Sequence, residues 1–163
     1  MDGLLTDEDL LEEVNSRLKE ARQHFSEWRQ EAREDFDFVA GDQWDEEDKL
    51  ILREQLRPLI TFNRVGPVID SIVGHQVQNR HETKYIPREM GDVGVNEVLT
   101  AAAKWVRDGA DSEDEETDAF MDSVICGYGW VETRMDYEED PDGAIVEDRV
   151  DPFSIVTGKQ PNP

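Results

Sequence analysis

The sequence predicts a mainly helical α+β fold: a long N-terminal helix, several further helices and one small antiparallel β-hairpin. Three features carry this. Apolar residues recur at Leu11, Val14, Leu18, Ala21, Phe25, Trp28, Ala32, Phe36 and Val39 in steps of three and four, the spacing of a helix with one buried seam. Helical periodicity returns around 67–77, 92–107 and 112–125. Segments 130–135 and 144–150 then face each other across Asp140-Pro141-Asp142-Gly143, residue types that reverse a chain. The expected organisation is a long helix over 1–40, a helical region over 41–126, the hairpin over 127–156 and a disordered or truncated tail over 157–163.

The first helix should run from about residue 6 to 39. Thr6 is placed to cap it, and Asp7, Glu8 and Asp9 occupy the first turn, where the helix dipole favours negative charge. The first seven seam members keep a heptad spacing. At about 1.5 Å per residue such a helix is roughly 50 Å long, more than so small a domain can bury. Leu11, Val14, Leu18, Phe25 and Trp28 are therefore candidate subunit-interface residues, with an intramolecular helical hairpin as the competing explanation. Gly41 should end the helix through a left-handed residue, and Trp44 should dock the turn onto the core.

A short helix is expected over 45–56, with acidic Asp45, Glu46 and Glu47 early and Arg53 late, and Pro58 stops it. Leu59-Ile60-Thr61-Phe62 reads as a brief strand or extended linker. Pro67 suits the first turn of the next helix, whose apolar face is Val68, Ile69, Ile72, Val73 and Val77. Residues 80–90 read as extended, and Pro87 demotes them to an edge strand. The helix over about 92–107 should bury Val95, Val98, Leu99, Ala102, Trp105 and Val106, and Gly109 should end it. Ser112-Glu113-Asp114-Glu115 fits a capping box, in which Ser and Glu satisfy each other's free N–H groups. That helix should bury Phe120, Met121, Val124 and Ile125 before Gly127 and Gly129 break it.

Charge narrows the function. Among 163 residues, 17 Lys and Arg stand against 40 Asp and Glu, a net −23. Tight phosphate binding needs clustered cations, and none is present, so a sequence-reading DNA-binding domain is excluded. A surface that DNA passes without sticking suits net acidity. No apolar run reaches the roughly 18 residues of a membrane span, and the opening residues lack the basic-then-apolar order of a secretory signal. Cys126 is the single cysteine, so no internal disulfide forms; it reads as a small buried residue at a helix end.

No catalytic, cofactor or metal constellation emerges. Placing Glu138, Asp140, Asp142 and Gly143 on an EF-hand loop puts Arg149 where the bidentate Glu belongs. Asp111, Glu113, Asp114, Glu115, Glu116 and Asp118 sit at a helix N-terminus, where acidic residues are stabilising without any metal. With Asp140 and Asp142 they form a candidate acidic surface. His24, His75 and His81 are scattered without ligand spacing. Gly127-Tyr128-Gly129 lacks a phosphate-binding Lys, and Ser71 and Ser123 lack a base partner.

Several segments, taken in order, resemble a known family. They are Phe36-x-x-x-x-Gly41-Asp42-Gln43-Trp44, Arg57-Pro58, Thr61-Phe62-Asn63, Gly74 with Asn79-Arg80, Ile86-Pro87, Gly127-x-Gly129-Trp130, the acidic hairpin and Val150-Asp151-Pro152. Over roughly Phe25 to Ile155 the chain resembles the N-terminal portion of the portal proteins of P22-like short-tailed phages. The resemblance implies a wing-like region of a twelve-fold ring at one capsid vertex, through which double-stranded DNA is packaged and ejected. It implies contacts with further copies of itself, the terminase large subunit, scaffolding or capsid proteins, and head-completion or tail proteins. It also implies no enzyme activity, no cofactor and no membrane, and places the protein in the virion and, during assembly, the host cytoplasm. The stem, clip and barrel of the family lie outside this sequence, which is expected to be a fragment or truncated form. Two rivals differ in class: an acidic module that mimics DNA, and a Mg²⁺-dependent phosphoryl enzyme using the 111–118 carboxylates.

Overall fold

The computed structural model describes residues 6–89, 93–138 and 141–157. Its elements are α1 (Asp7–His24), α2 (Ser26–Ala40), α3 (Glu46–Glu54), α4 (Val65–Gln78), α5 (Val93–Gly109), α6 (Ser112–Cys126), β1 (Trp130–Asp136) and β2 (Ala144–Val150). The fold is mainly helical with one antiparallel two-stranded sheet.

The single helix expected over 6–39 is two helices that meet at Phe25. Phe25 N–H still reaches Ala21 O at 3.1 Å and Arg29 N–H reaches Phe25 O at 3.0 Å, but ψ at Phe25 is 6°, outside helical values. The cause is local. The Ser26 hydroxyl donates to Gln23 O at 2.8 Å, offering the backbone an alternative to the helical ladder. The Phe25 ring meanwhile packs edge-on against Trp28 and Tyr128. At the start of α1, Thr6 and Asp9 form a reciprocal capping box. Gly41 ends α2 with φ 101°, as its lack of a Cβ permits.

Beyond α3 the chain turns at Leu56, whose φ is 52°, and residues 57–64 then run without helix or ladder pairing, as do residues 80–87; the expected edge strand does not form. The sixth helix also starts differently. Ser112 is its first helical residue, and the cap is Asp111 in the left-handed region at φ 48° with no side-chain capping bond. Ser112 is fully buried with its hydroxyl unpartnered, so no capping box forms. Tight packing at the α5–α6 corner takes the position that a solvent-facing cap would need.

The core is narrow. Ala21, Ala32, Ile69, Ala119, Cys126 and Pro152 are buried, and the three alanines and Cys126 are small enough to let helices approach closely. Phe120, Met121, Val124 and Ile125 on α6 are half-buried. The face expected to be buried on α5 is instead open: Val95, Val98 and Leu99 are exposed and Trp105 is 77% exposed. No other element among the described residues covers it. Strand pairing runs from Trp130↔Val150 to Asp136↔Ala144, and α6 supports the hairpin from one side. A two-stranded sheet needs such backing to persist in water. Asp140 of the expected turn and the tail 158–163 lie outside the described residues.

Candidate assembly surface

The segments singled out in the sequence are joints. Trp44 Nε1–H donates to Thr61 Oγ1 at 3.1 Å, and Gln43 Nε2 donates to Phe38 O at 3.1 Å. Asn63 joins the same corner: its Nδ2 donates to Val39 O at 2.7 Å, and its Oδ1 accepts from the N–H groups of Val65 and Gly66 at 3.1 Å each. One side chain thus ties the end of α2 and caps the start of α4, satisfying donors that a helix leaves free. Gly41-Asp42-Gln43-Trp44 and Thr61-Phe62-Asn63 are therefore halves of one corner.

A second joint holds the hairpin. A Cβ on Gly129 would lie 1.8 Å from Ala119 O, so the chain entering β1 presses directly on the backbone of α6. Trp28, Phe25, Tyr128, Trp130, Phe36 and Phe153 form a chain of aromatic contacts beside it. The Cys126 thiol is pushed above its ordinary pKa chiefly by burial, as a packing residue rather than a reactive one.

The candidate acidic surface is largely bound to arginines. Arg80 donates to Glu113 at 2.9 Å and to Asp114 at 2.8 Å, and Arg107 grips both oxygens of Glu116 at 2.7 Å. Glu115 accepts the Arg149 N–H at 2.6 Å, and Arg149 makes a forked pair with Asp122 at 2.5 and 2.8 Å. Bidentate pairing of this kind fixes orientation as well as charge. Asp111 is exposed. Arg80, Arg107 and Arg149 escaped sequence reading because their acidic partners lie 33, 9 and 27 residues away.

The candidate seam divides. Phe25 and Trp28 turn onto their own chain, Leu18 is half-buried, and Leu11 and Val14 stay 63% and 57% exposed. Large exposed apolar residues continue through Leu56, Phe62, Val68, Ile72, Ile86 and Val98. Surfaces of this kind mark places where proteins meet. Among the described residues no helix is long and apolar enough to cross a membrane.

The acidic side chains of α6 are tied to arginines, and several apolar faces stay open to solvent. The family model described as Phage P22-like portal protein matches residues 15–160, and the chain belongs to that family. It is a structural component of a bacteriophage portal, located at the portal vertex of the virion. No curated protein matches the chain.

Proposed function

We propose that the chain forms part of a ring-shaped portal, twelve-fold in its complete form, through which double-stranded DNA is packaged and later ejected. It contributes wing-like mass and subunit contacts, and the translocating force comes from ATP hydrolysis in a terminase large subunit docked on the ring. Scaffolding or capsid proteins and head-completion or tail proteins are the other proposed neighbours, assembled in the host cytoplasm. The observation that carries this reading is the family match over residues 15–160. Two physical features support it: a net charge of −23, which repels a passing duplex, and apolar faces open to other subunits. The acidic run favours neither rival, since Glu113, Asp114 and Glu116 already face arginines.

Native mass spectrometry of the chain across micromolar concentrations tests this. Concentration-dependent oligomers, seen as closed rings by negative-stain imaging, are expected. A strict monomer that instead captures a basic DNA-binding protein in a salt-sensitive complex would replace the reading with DNA mimicry.

A further inference from the structure

We propose that two copies of the chain join edge to edge through β1, antiparallel and centred on Thr133, so that two hairpins become one four-stranded sheet. The contact does not rest on the portal reading. Copies in a ring meet through two different patches, whereas this pairing uses one patch twice and closes on itself. It therefore belongs to chains outside the ring.

The backbone edge of β1 is free. Arg149 lies opposite Val131 in the ladder, yet its N–H leaves the sheet to reach Glu115 on α6. Residues directly opposite in an antiparallel pair exchange both bonds or neither. Val131 therefore turns its own N–H and C=O away from β2, and with a period of two Thr133 and Met135 do the same. Helix α6 meets the edge of β2 at Arg149. Along the edge of β1 the outward backbone groups have no partner among the described residues.

That edge also lacks the usual defences. Proteins blunt exposed edges with Pro, Lys, bulges or a covering element. The seven residues of β1 include neither Pro nor Lys, and their register with β2 runs without a bulge. Val131 is 38% and Met135 47% exposed.

Charge names the occupant. Glu132 stands directly opposite Asp148, a like-charge pair that costs stability. Arg134 is drawn to Asp136 and Asp148 at 3.0 Å each, which leaves Glu132 without an ion pair among the described residues. The Arg134 side chain is 43% exposed and its guanidinium keeps donors to spare. A second β1, placed antiparallel about Thr133, sets Glu132 opposite Arg134 at both ends. It also sets Val131 opposite Met135 and Thr133 opposite itself, all favoured cross-strand pairs. Sliding by two residues either way opposes Glu132 to Glu132 or Arg134 to Arg134, so charge selects one register. The chain's unpaired segments fit less well as a third strand: Pro58 interrupts 57–64, and Tyr85 N–H is already given to Thr100 at 3.1 Å. An edge this short covers less than the roughly 1,200 Å² of a stable interface, so the dimer is weak and forms as concentration rises.

The test uses the full chain carrying Thr133→Cys, an exposed position at the two-fold centre; Cys126 is buried and does not compete. Opposed residues that exchange both bonds have Cα atoms about 5.5 Å apart, within disulfide reach. Under mild oxidation this variant should link to itself about tenfold faster than the same chain with Glu132→Arg, which sets Arg against Arg134 of the second copy. Within its own chain Glu132→Arg meets Asp148, so the fold should hold, as circular dichroism will read. Adding Arg134→Glu exchanges the two charges and should restore the fast rate. Without any new cysteine, amide exchange at Val131, Thr133 and Met135 should slow as concentration rises, and should stay fast in Glu132→Arg. Equal linking rates with and without Glu132→Arg, or fast exchange of the three amides at every concentration, would overturn the proposal. Loss of rings in Glu132→Arg would overturn the placing of this contact outside the ring. A chain that pairs through β1 but never forms rings would remove only the portal reading.

Discussion

The indole N–H of Trp28 donates to the backbone carbonyl of Cys126 at 2.9 Å, joining α2 to the last residue of α6. The carbonyl is one of the acceptors that a helix leaves free at its C-terminus, and its partner comes from 98 residues earlier in the chain.

Trp28→Phe should therefore cost about 1–2 kcal/mol, from the loss of one part-buried hydrogen bond and a small part of the indole's packing. Trp28→Ala also removes the contacts with Tyr128 and Phe153 and should cost about 3 kcal/mol or more. Urea unfolding of the two variants separates the polar from the packing contribution. Equal losses would show that the ring contacts add nothing beyond the hydrogen bond, and an unchanged stability of Trp28→Phe would show that the bond contributes nothing.

Two glycines two residues apart should behave differently for different reasons. Gly127 has φ 84° with open space around it, so Gly127→Ala should cost about 1 kcal/mol of backbone strain. Gly129→Ala drives a methyl group into Ala119 O and should cost at least twice as much, because the hairpin must lift from α6. Thermal midpoints, compared with amide exchange in β1, locate the damage.

Asn63→Ala should destabilise by about 1–2 kcal/mol, since one side chain serves as the α4 cap and the tie to Val39 O. Asn63→Asp keeps the acceptor oxygens and should recover the cap but not the tie. Full rescue by Asp would show that the bond to Val39 is idle.

Asp122 is almost fully buried under its forked pair with Arg149. Asp122→Ala should cost about 2–3 kcal/mol; the range for a fully buried pair is about 3–5 kcal/mol, and Arg149 is partly hydrated. Because β2 carries Arg149, hydrogen exchange should accelerate along 144–150 before α2 responds.

Stability should fall in acid, and Glu116 supplies part of that fall. Hydrogen bonding to Arg107 holds its carboxyl below the ordinary value of 4.5, opposed by partial burial. A carboxylate with a depressed folded pKa adds stability in full above its unfolded value and loses it as pH drops through the folded value. Glu116→Gln should therefore flatten the decline below about pH 4.5. Its side chain is 43% exposed, so screening limits the difference to about 0.5 kcal/mol. Denaturation midpoints at pH 7 and about pH 3.5 read it directly.

Much of the fold was legible because local rules suffice for it. Thr6, Gly41 and Gly127 punctuate helices where capping and left-handed geometry require, and the hairpin strands fall within a residue of expectation. The misreadings arose where another chemistry prevailed. Heptad spacing runs unbroken through Phe25 and gives no sign of the Ser26 hydroxyl reaching back to Gln23 O. Ser112 has the sequence of a cap, but the α5–α6 corner buries it. Periodicity correctly found an apolar face on α5; it carries no information on what covers Trp105. The arginine pairs depend on residues brought together only by the fold.

The joint at Phe25 has a geometric consequence. Helix α1 extends about 27 Å from it at 1.5 Å per residue, so it acts as a lever pivoting on one aromatic side chain. A turn of about 10° at that pivot moves the far tip by about 5 Å, a full helical turn. Size changes at Phe25 should thus redirect the tip of α1 by several ångströms before they alter the stability of the helices on either side.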